Sequence, residues 1–481
     1  MRKRALSPKG TTANSLGCEP QVRSHHESKA SEGRQQRNPA ERDVAPPGLS
    51  ICGVLDSWGS RPRLFAVVPQ GWLRSCFARR SAIVLMLGAL QLIAASPASA
   101  QDATPPADDT SLDGREGRDL LLKNFRPRSM LKAQQTNITR AKFPVVDLHT
   151  HFRYRFRHSP EQLDAFVQLM DRNNIAVCVS LDGKLGDDFR EHAKYLWTKY
   201  PDRFMIFANV DWRGDGQTDD PATWACHQPG FAERTAKQLA EAKELGASGL
   251  KLFKQFGLGH RNPDGSLIKV DDRRWDPIWK ACGQLELPII IHTSDPAAFF
   301  LDIDPTNERW EELHRHPEWS FPADKFPSRE KLLAARNRVI ERHPKTNFIG
   351  AHVANNPEDL ATVSEWLDKY PNLYVGFASR IGELGRQPYT ARRFFLDYSD
   401  RILFTTDGPW PETRVQLYWR FLETYDEYFP YSEKEFPPQG FWNIYGIGLP
   451  DDVLKNVYSQ NALKLLPGLR EKLDAYIART Q

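Results

Sequence analysis

The sequence predicts an α/β fold, a closed (β/α)8 TIM barrel with a C-terminal helical extension, and three observations carry that prediction. From Phe143 onward, short apolar runs of strand length alternate about eight times with longer stretches of helical period. The runs are continuous and rich in β-branched residues, the pattern of parallel strands covered on both faces. Eight such units span about 265 residues, close to the roughly 250 the fold takes. An open doubly wound sheet is the competing architecture, but no Gly-rich phosphate loop follows the first run.

The expected strands are 145–149, 175–181, 204–210, 248–253, 288–292, 347–352, 373–378 and 402–407. Between the first two, Ser159 is placed to cap a helix, with Pro160 at its first position and Gln162 reaching back. Leu163, Phe166, Val167 and Met170 then form its apolar stripe. Asn356-Pro357-Glu358 starts another helix, with Leu360, Val363 and Leu367 on its buried side. Two segments depart from the alternation. An insert over 293–326 carries Phe299, Phe300, Trp310, His314, His316 and Trp319, and is expected to be a lid or a substrate wall. After Asp407, residues 415–429 and 449–466 read as added helices that cap the barrel.

The N-terminal hundred residues have a different texture. Met1 to about Leu64 is rich in Arg, Ser, Gly and Pro without either period, the composition of a disordered segment. Arg74, Arg79 and Arg80 then precede an apolar run from Ala82 to about Ala95, closed by Ala98-Ser99-Ala100. That order reads as a secretory signal peptide over 74–100, cleaved after Ala100. A membrane anchor is the alternative, yet a run of about 14 residues falls short of the roughly 20 a spanning helix needs. The stretch ahead of the signal implies that translation starts downstream of Met1, and Arg79-Arg80 matches a twin-arginine signal only in the pair itself. Thus 1–100 is a leader, 101–142 a tether and N-terminal extension, and 143–481 the barrel domain with its C-terminal helices.

The leader holds 14 of the 65 Lys/Arg and 6 of the 61 Asp/Glu, so the remainder carries about −4 where the whole chain carries +4. The basic balance belongs to the leader and argues for neither a nucleic-acid nor a membrane-surface partner. Cys178, Cys226 and Cys282 remain after cleavage, an odd and scattered trio that makes no disulfide framework. Cys178 lies in an apolar run and is expected to be a small core residue.

The first strand ends in Asp147-Leu148-His149-Thr150-His151. Side chains alternate along a strand, so His149 and His151 are expected on one side, where a single cation can accept a nitrogen from each. Other strands end in the same way: Ile289-Ile290-Ile291 leads into His292, Phe348-Ile349-Gly350-Ala351 into His352, and Ile402-Leu403-Phe404-Thr405-Thr406 into Asp407. In a closed barrel these ends converge.

H-x-H on the first strand, His on the fifth and sixth and Asp on the eighth resemble the amidohydrolase superfamily. The tail Leu449-Pro450-Asp451-Asp452-Val453-Leu454 through Asn461-Ala462 is similar to its amidohydrolase-related branch (amidohydrolase 2). That branch includes aminocarboxymuconate semialdehyde decarboxylase and resorcylate decarboxylases, besides hydrolases and hydratases. The resemblance runs from about Phe143 to Leu466. It implies that His149, His151, His292 and Asp407 bind one divalent metal, zinc before manganese or iron, and that His352 polarises a carbonyl or moves a proton. Asp407 would also accept the proton of metal-activated water.

The resemblance bears on Lys251 as well, because binuclear superfamily members bridge two metals with a carboxylated lysine on strand four. A single metal is more usual in this branch, so Lys251 is expected to contact substrate, with a metal bridge or a structural ion pair as alternatives. Lys254 is expected to face solvent. Of Arg153, Arg155 and Arg157, Arg155 is the candidate cation for a carboxylated substrate, and Trp410 the candidate pocket wall. His158, His192, His227, His260, His314, His316 and His343 stand in loops or on helix faces and are expected to be solvated, with His314 and His316 the exceptions if the insert is a lid.

The functional expectation is an exported, periplasmic or secreted, metal-dependent hydrolase of an ester, lactone or amide carbonyl in a small substrate. Non-oxidative decarboxylation or hydration of a small carboxylate uses the same site. A non-catalytic exported binding protein is the reading from another class, opposed by the cost of keeping buried His and Asp unpaired. No membrane partner is expected after signal cleavage, and a homo-oligomer is compatible with the sequence.

Overall fold

The computed structural model describes residues 120–121, 124, 127–432, 434 and 439–480. The expected leader, the signal peptide with its cut after Ala100 and the start of the tether lie outside these residues. Among the described residues no helix is long and apolar enough to cross a membrane.

Eight parallel strands pair in chain order: β1 (Val145–Thr150), β2 (Ile175–Ser180), β3 (Phe204–Asn209), β4 (Ala247–Leu252), β5 (Ile289–Ile291), β6 (Phe348–Gly350), β7 (Leu373–Gly376) and β8 (Ile402–Leu403). Every strand residue except Tyr374 is buried, which is why the sequence shows continuous apolar runs. The backbone after β8 closes the ring onto β1: Leu148 N–H donates to Phe404 O at 3.1 Å, Asp407 N–H to His149 O at 2.8 Å and His151 N–H to Gly408 O at 2.7 Å.

All eight expected strands are present, but β6, β7 and β8 end earlier than expected. Beyond Gly350, residues His352, Val353, Ala354 and Asn355 all take left-handed φ of 51–58°, and Asp407 has φ 68°. A strand cannot continue through that region.

Two apolar layers form the core. Outside the strands, the barrel helices pack on Val145, Cys178, Ile206, Leu250, Ile289, Phe348 and their neighbours. Inside, Val146, Leu148, Val177, Val179, Met205, Phe207, Ile290, Ile349 and Leu403 meet one another and are joined by Ala462, Leu465, Leu469, Leu473 and Tyr476 of the C-terminal segment. The tail forms helices Asp451–Lys455, Asn461–Leu465 and Leu469–Thr480. The helix expected over 415–429 runs instead over Glu412–Glu423. The chain then forms a small antiparallel pair, Phe429–Pro430 with Asn443–Ile444.

Helix starts follow the caps read from sequence with two adjustments. Ser159 Oγ accepts from Gln162 N–H at 3.3 Å, but Gln162 does not reach back, because the Ser159 N–H donates to Phe156 O at 2.8 Å. The Asn356-Pro357 helix begins only at Leu360, where Asp359 Oδ1 accepts from Thr362 N–H at 3.0 Å. The 293–326 insert is packed rather than loose. Phe299, Leu313 and Phe321 make a satellite core with Leu258 and Leu332, while His314 and His316 stack on Trp310 and Trp319 within the insert itself.

His192 corrects the expectation of solvated histidines, because it is fully buried, its Nε2 2.8 Å from Ser180 Oγ and its Nδ1 2.9 Å from His158 Nε2. Burial lowers its pKa to about 3, and that of His260 to about 4. In the unfolded chain both titrate near 6.5, so the unfolded state takes up protons first as pH falls. Their stabilising contribution is complete above pH 6.5 and declines below it. Going from pH 7 to pH 5 is expected to cost roughly 2 kcal/mol for each. Denaturant midpoints at the two pH values measure this, and His192→Gln or His260→Gln should flatten the pH dependence; an unchanged slope in both variants would refute it.

Candidate active site

The first ligand-bearing segment owes its aim to a bulge. Val146 and Leu148 face the inner layer, so uninterrupted alternation would send His149 to the other face with Val145 and Asp147. Instead β1 gains one residue on β2, since Asp147 pairs with Cys178 but Thr150 with Ser180. Such an extra residue re-aims the side chains after it. Asp147 braces the bulge by accepting from His149 N–H at 3.1 Å, Thr406 N–H at 3.1 Å and Thr406 Oγ1 at 2.5 Å. Burial raises its pKa to about 7.

His149 and His151 then meet Asp407. Their two Nε2 atoms are 3.2 Å apart, and Asp407 Oδ1 lies 3.4 Å from the first and 3.3 Å from the second. Among the described residues these three form the group able to hold a metal ion. His151 Nδ1–H donates to buried Asp182 Oδ1 at 2.6 Å, which leaves Nε2 as the coordinating nitrogen. With neutral rings, three lone-pair atoms converge, a repulsive arrangement unless a cation sits among them. Donors around a four-coordinate ion with bonds of about 2.0–2.1 Å stand about 3.3 Å apart, so the observed triangle fits a divalent metal.

His292 and His352 adjoin the triangle. The His352 ring centroid is 5.2 Å from that of His149 and 4.5 Å from that of His292. His352 Nδ1–H donates to Ala378 O at 2.8 Å, so its Nε2 carries the lone pair. His292, expected as a fourth metal ligand, has Nε2 3.4 Å from Asp295 Oδ1 and stands beside His352 rather than within the triangle. Lys254, expected to face solvent, is instead paired with buried Asp295 at 2.5 Å and so shares the carboxylate that faces His292.

The left-handed turn that carries His352 is held from outside. Arg329 Nη2 donates to Asn355 O at 2.7 Å, and Arg336 donates to Ala354 O. Asn355 itself ties the turn to β5's exit, accepting from Thr293 N–H at 3.1 Å and donating to Ser294 O at 2.6 Å. Four consecutive non-glycine residues in this region cost roughly 1–2 kcal/mol each, a strain that persists only where surrounding contacts over-determine it. Gly350 is required beneath the turn, because a Cβ there would lie 2.6 Å from Ala354 Cβ.

Burial holds His149 and His352 well below the ordinary imidazole pKa, and His292 at about 4. Burial pushes Asp407 upward, but the adjoining imidazoles of His151, His149 and His352 outweigh it and hold the carboxylate well below its usual range. Neutral His352 and ionised Asp407 can each accept a proton. Arg155 stands on the rim with its guanidinium 4.0 Å from the Trp410 ring and Nη2 donating to Asp407 O at 3.1 Å; Arg414 lies 3.7 Å from the same indole. Lys251 is buried on β4. The sequence reading passed over Asp182, although an acidic residue just past Leu181 at the end of β2 occupies the same kind of position as the residues it did find.

A family model described as Amidohydrolase matches residues 146–468. The chain belongs to the amidohydrolase family. As a member it is an amidohydrolase-superfamily enzyme, a metal-dependent hydrolase or carboxy-lyase. Among solved structures, this amidohydrolase is similar to a dihydroxybenzoic acid decarboxylase from a Polaromonas species with bound manganese, at 18% identity over 67% of this chain and 96% of that one, TM-score 0.40. It is also similar to 2,6-dihydroxybenzoate decarboxylase from Rhizobium, at 18% identity over 67% and 98%, TM-score 0.40. The third is 4-oxalomesaconate hydratase from Rhodopseudomonas palustris, at 15% identity over 70% and 100%, TM-score 0.39.

Proposed function

We propose that this amidohydrolase is a metal-dependent hydrolase of an ester, lactone or amide carbonyl in a small substrate. The reading is carried by His352 beside the His149–His151–Asp407 triangle: its Nδ1–H is spent on Ala378 O, so its Nε2 presents a lone pair able to accept a proton, as activation of water requires. A divalent ion, zinc before manganese or iron, would be held by His149, His151 and Asp407; His292, whose Nε2 faces Asp295, would have to turn from that carboxylate to become the fourth ligand. It would supply Lewis acidity that polarises the carbonyl and acidifies water. Asp407, ionised, takes the proton as the water O–H bond breaks and the new C–O bond forms. His352 offers its Nε2 lone pair to the remaining proton of the added hydroxyl and gives that proton to the departing oxygen or nitrogen as the scissile bond breaks, leaving the product carboxylate, while Asp407 returns its proton to solvent.

The test is turnover of the metal-loaded protein in 18O-labelled water against small esters, lactones, amides and hydroxybenzoates. One 18O atom in the acid product, with no CO2, is expected. CO2 release without label would replace hydrolysis by decarboxylation, and inertness with no bound metal would favour a binding protein. The reading also includes export, supported by the order of charge, apolar run and small residues over 74–100. N-terminal sequencing of protein from the periplasmic fraction is expected to begin at Gln101.

A further inference from the structure

Lys251 is 1% exposed, yet its ammonium has no hydrogen-bond partner. Burying an ammonium without a hydrogen bond is costly, and the charges of Asp407 and Asp182 offset that burial only in part. Its side chain lines a cavity of about 510 Å³ together with Tyr154, Trp212, Phe253, His260 and Arg213. The Phe253 ring centroid is 5.5 Å from Nζ. The Phe253 and Tyr154 rings also lie 5.9 and 6.3 Å from that of His151, so the walls of the cavity reach the metal-binding triangle. The one carboxylate among the lining residues, Asp211, already accepts from the Arg213 and Gly214 N–H groups through Oδ1.

We propose that Lys251 anchors a carboxylate of the substrate, whose flat apolar body lies between Tyr154, Phe253 and Trp212 with the carbonyl to be attacked presented to His149, His151 and Asp407. The inference rests on the hydrolase reading for the direction of the substrate, but the anchor itself does not depend on metal. Lys251 supplies the compensating cation that a carboxylate needs on leaving water, and the three rings supply apolar area.

The test uses the full chain stripped of metal, titrated by calorimetry with benzoate and with benzamide, its neutral analogue. Benzoate is expected to bind at least about tenfold more tightly, and Lys251→Met to remove that preference while leaving benzamide unchanged, with Lys251→Arg restoring part of it. Equal binding of the two probes by the unsubstituted chain would overturn the proposal even if Lys251→Met failed to fold. So would a mass increase of a carbamate on Lys251, or loss of a second metal equivalent in Lys251→Met, either of which would make the lysine a metal bridge. Since the probe binds without metal, failure of the 18O experiment leaves this result standing, and the reverse also holds.

Discussion

His149→Ala combined with His151→Ala is expected to abolish both metal binding and turnover. The pair supplies two of the three donors that lie within 3.2–3.4 Å of one another, and one carboxylate cannot hold a divalent ion in their absence. Metal analysis after gentle purification should fall from about one equivalent to near none, with turnover lost in parallel. Asp182→Asn is the graded companion. It keeps the shape but weakens the hydrogen bond that fixes the His151 tautomer, and is expected to lower metal affinity about 10- to 100-fold. Undiminished turnover in the double alanine variant would remove the metal mechanism altogether.

Arg309→Met is expected to produce the largest loss of stability. Arg309 and Glu383 are each about 1% exposed and bonded to each other, tying the 293–326 insert to the helix after β7; Arg309 also pairs with Glu312 at 2.6 Å. Removing the cation takes away the strongest of the guanidinium charges that hold buried Glu383 ionised, leaving only Arg380 and Arg386, a loss of about 3 kcal/mol. Arg309→Met with Glu383→Leu should recover much of it, since Arg309 Nε and Glu383 Oε2 have no partner even in the intact pair. Denaturant midpoints of both single variants and the double variant measure the coupling. Additive losses would show that the pair is not the fastening it resembles.

The triangle could be anticipated because each of its members ends an apolar run, a local signal that needs no knowledge of distant contacts. His292 and His352 were legible in the same way, and their rings do lie together. Lys254 and His192 were misjudged for one reason: a charged or polar side chain on a loop or helix reads as solvated, and only the fold brings Asp295 to the first or Ser180 and His158 around the second. The packed insert was legible as aromatic content, but its buried fastening to Glu383 was not.

What the sequence by itself determined is the set of eight strands, their parallel burial and the identity of the groups at their ends, because hydrophobic period is written within each segment. Only the tertiary structure decided how those groups are aimed. The bulge in β1 is braced by a bond between residues 259 apart, Asp147 and Thr406, and the tautomer of His151 by one between residues 31 apart. The left-handed turn beneath His352 persists through contacts from Arg329, Arg336 and the exit of β5. Backbone strain and proton position depend on the energy of such distant contacts, and no local pattern of residues encodes them.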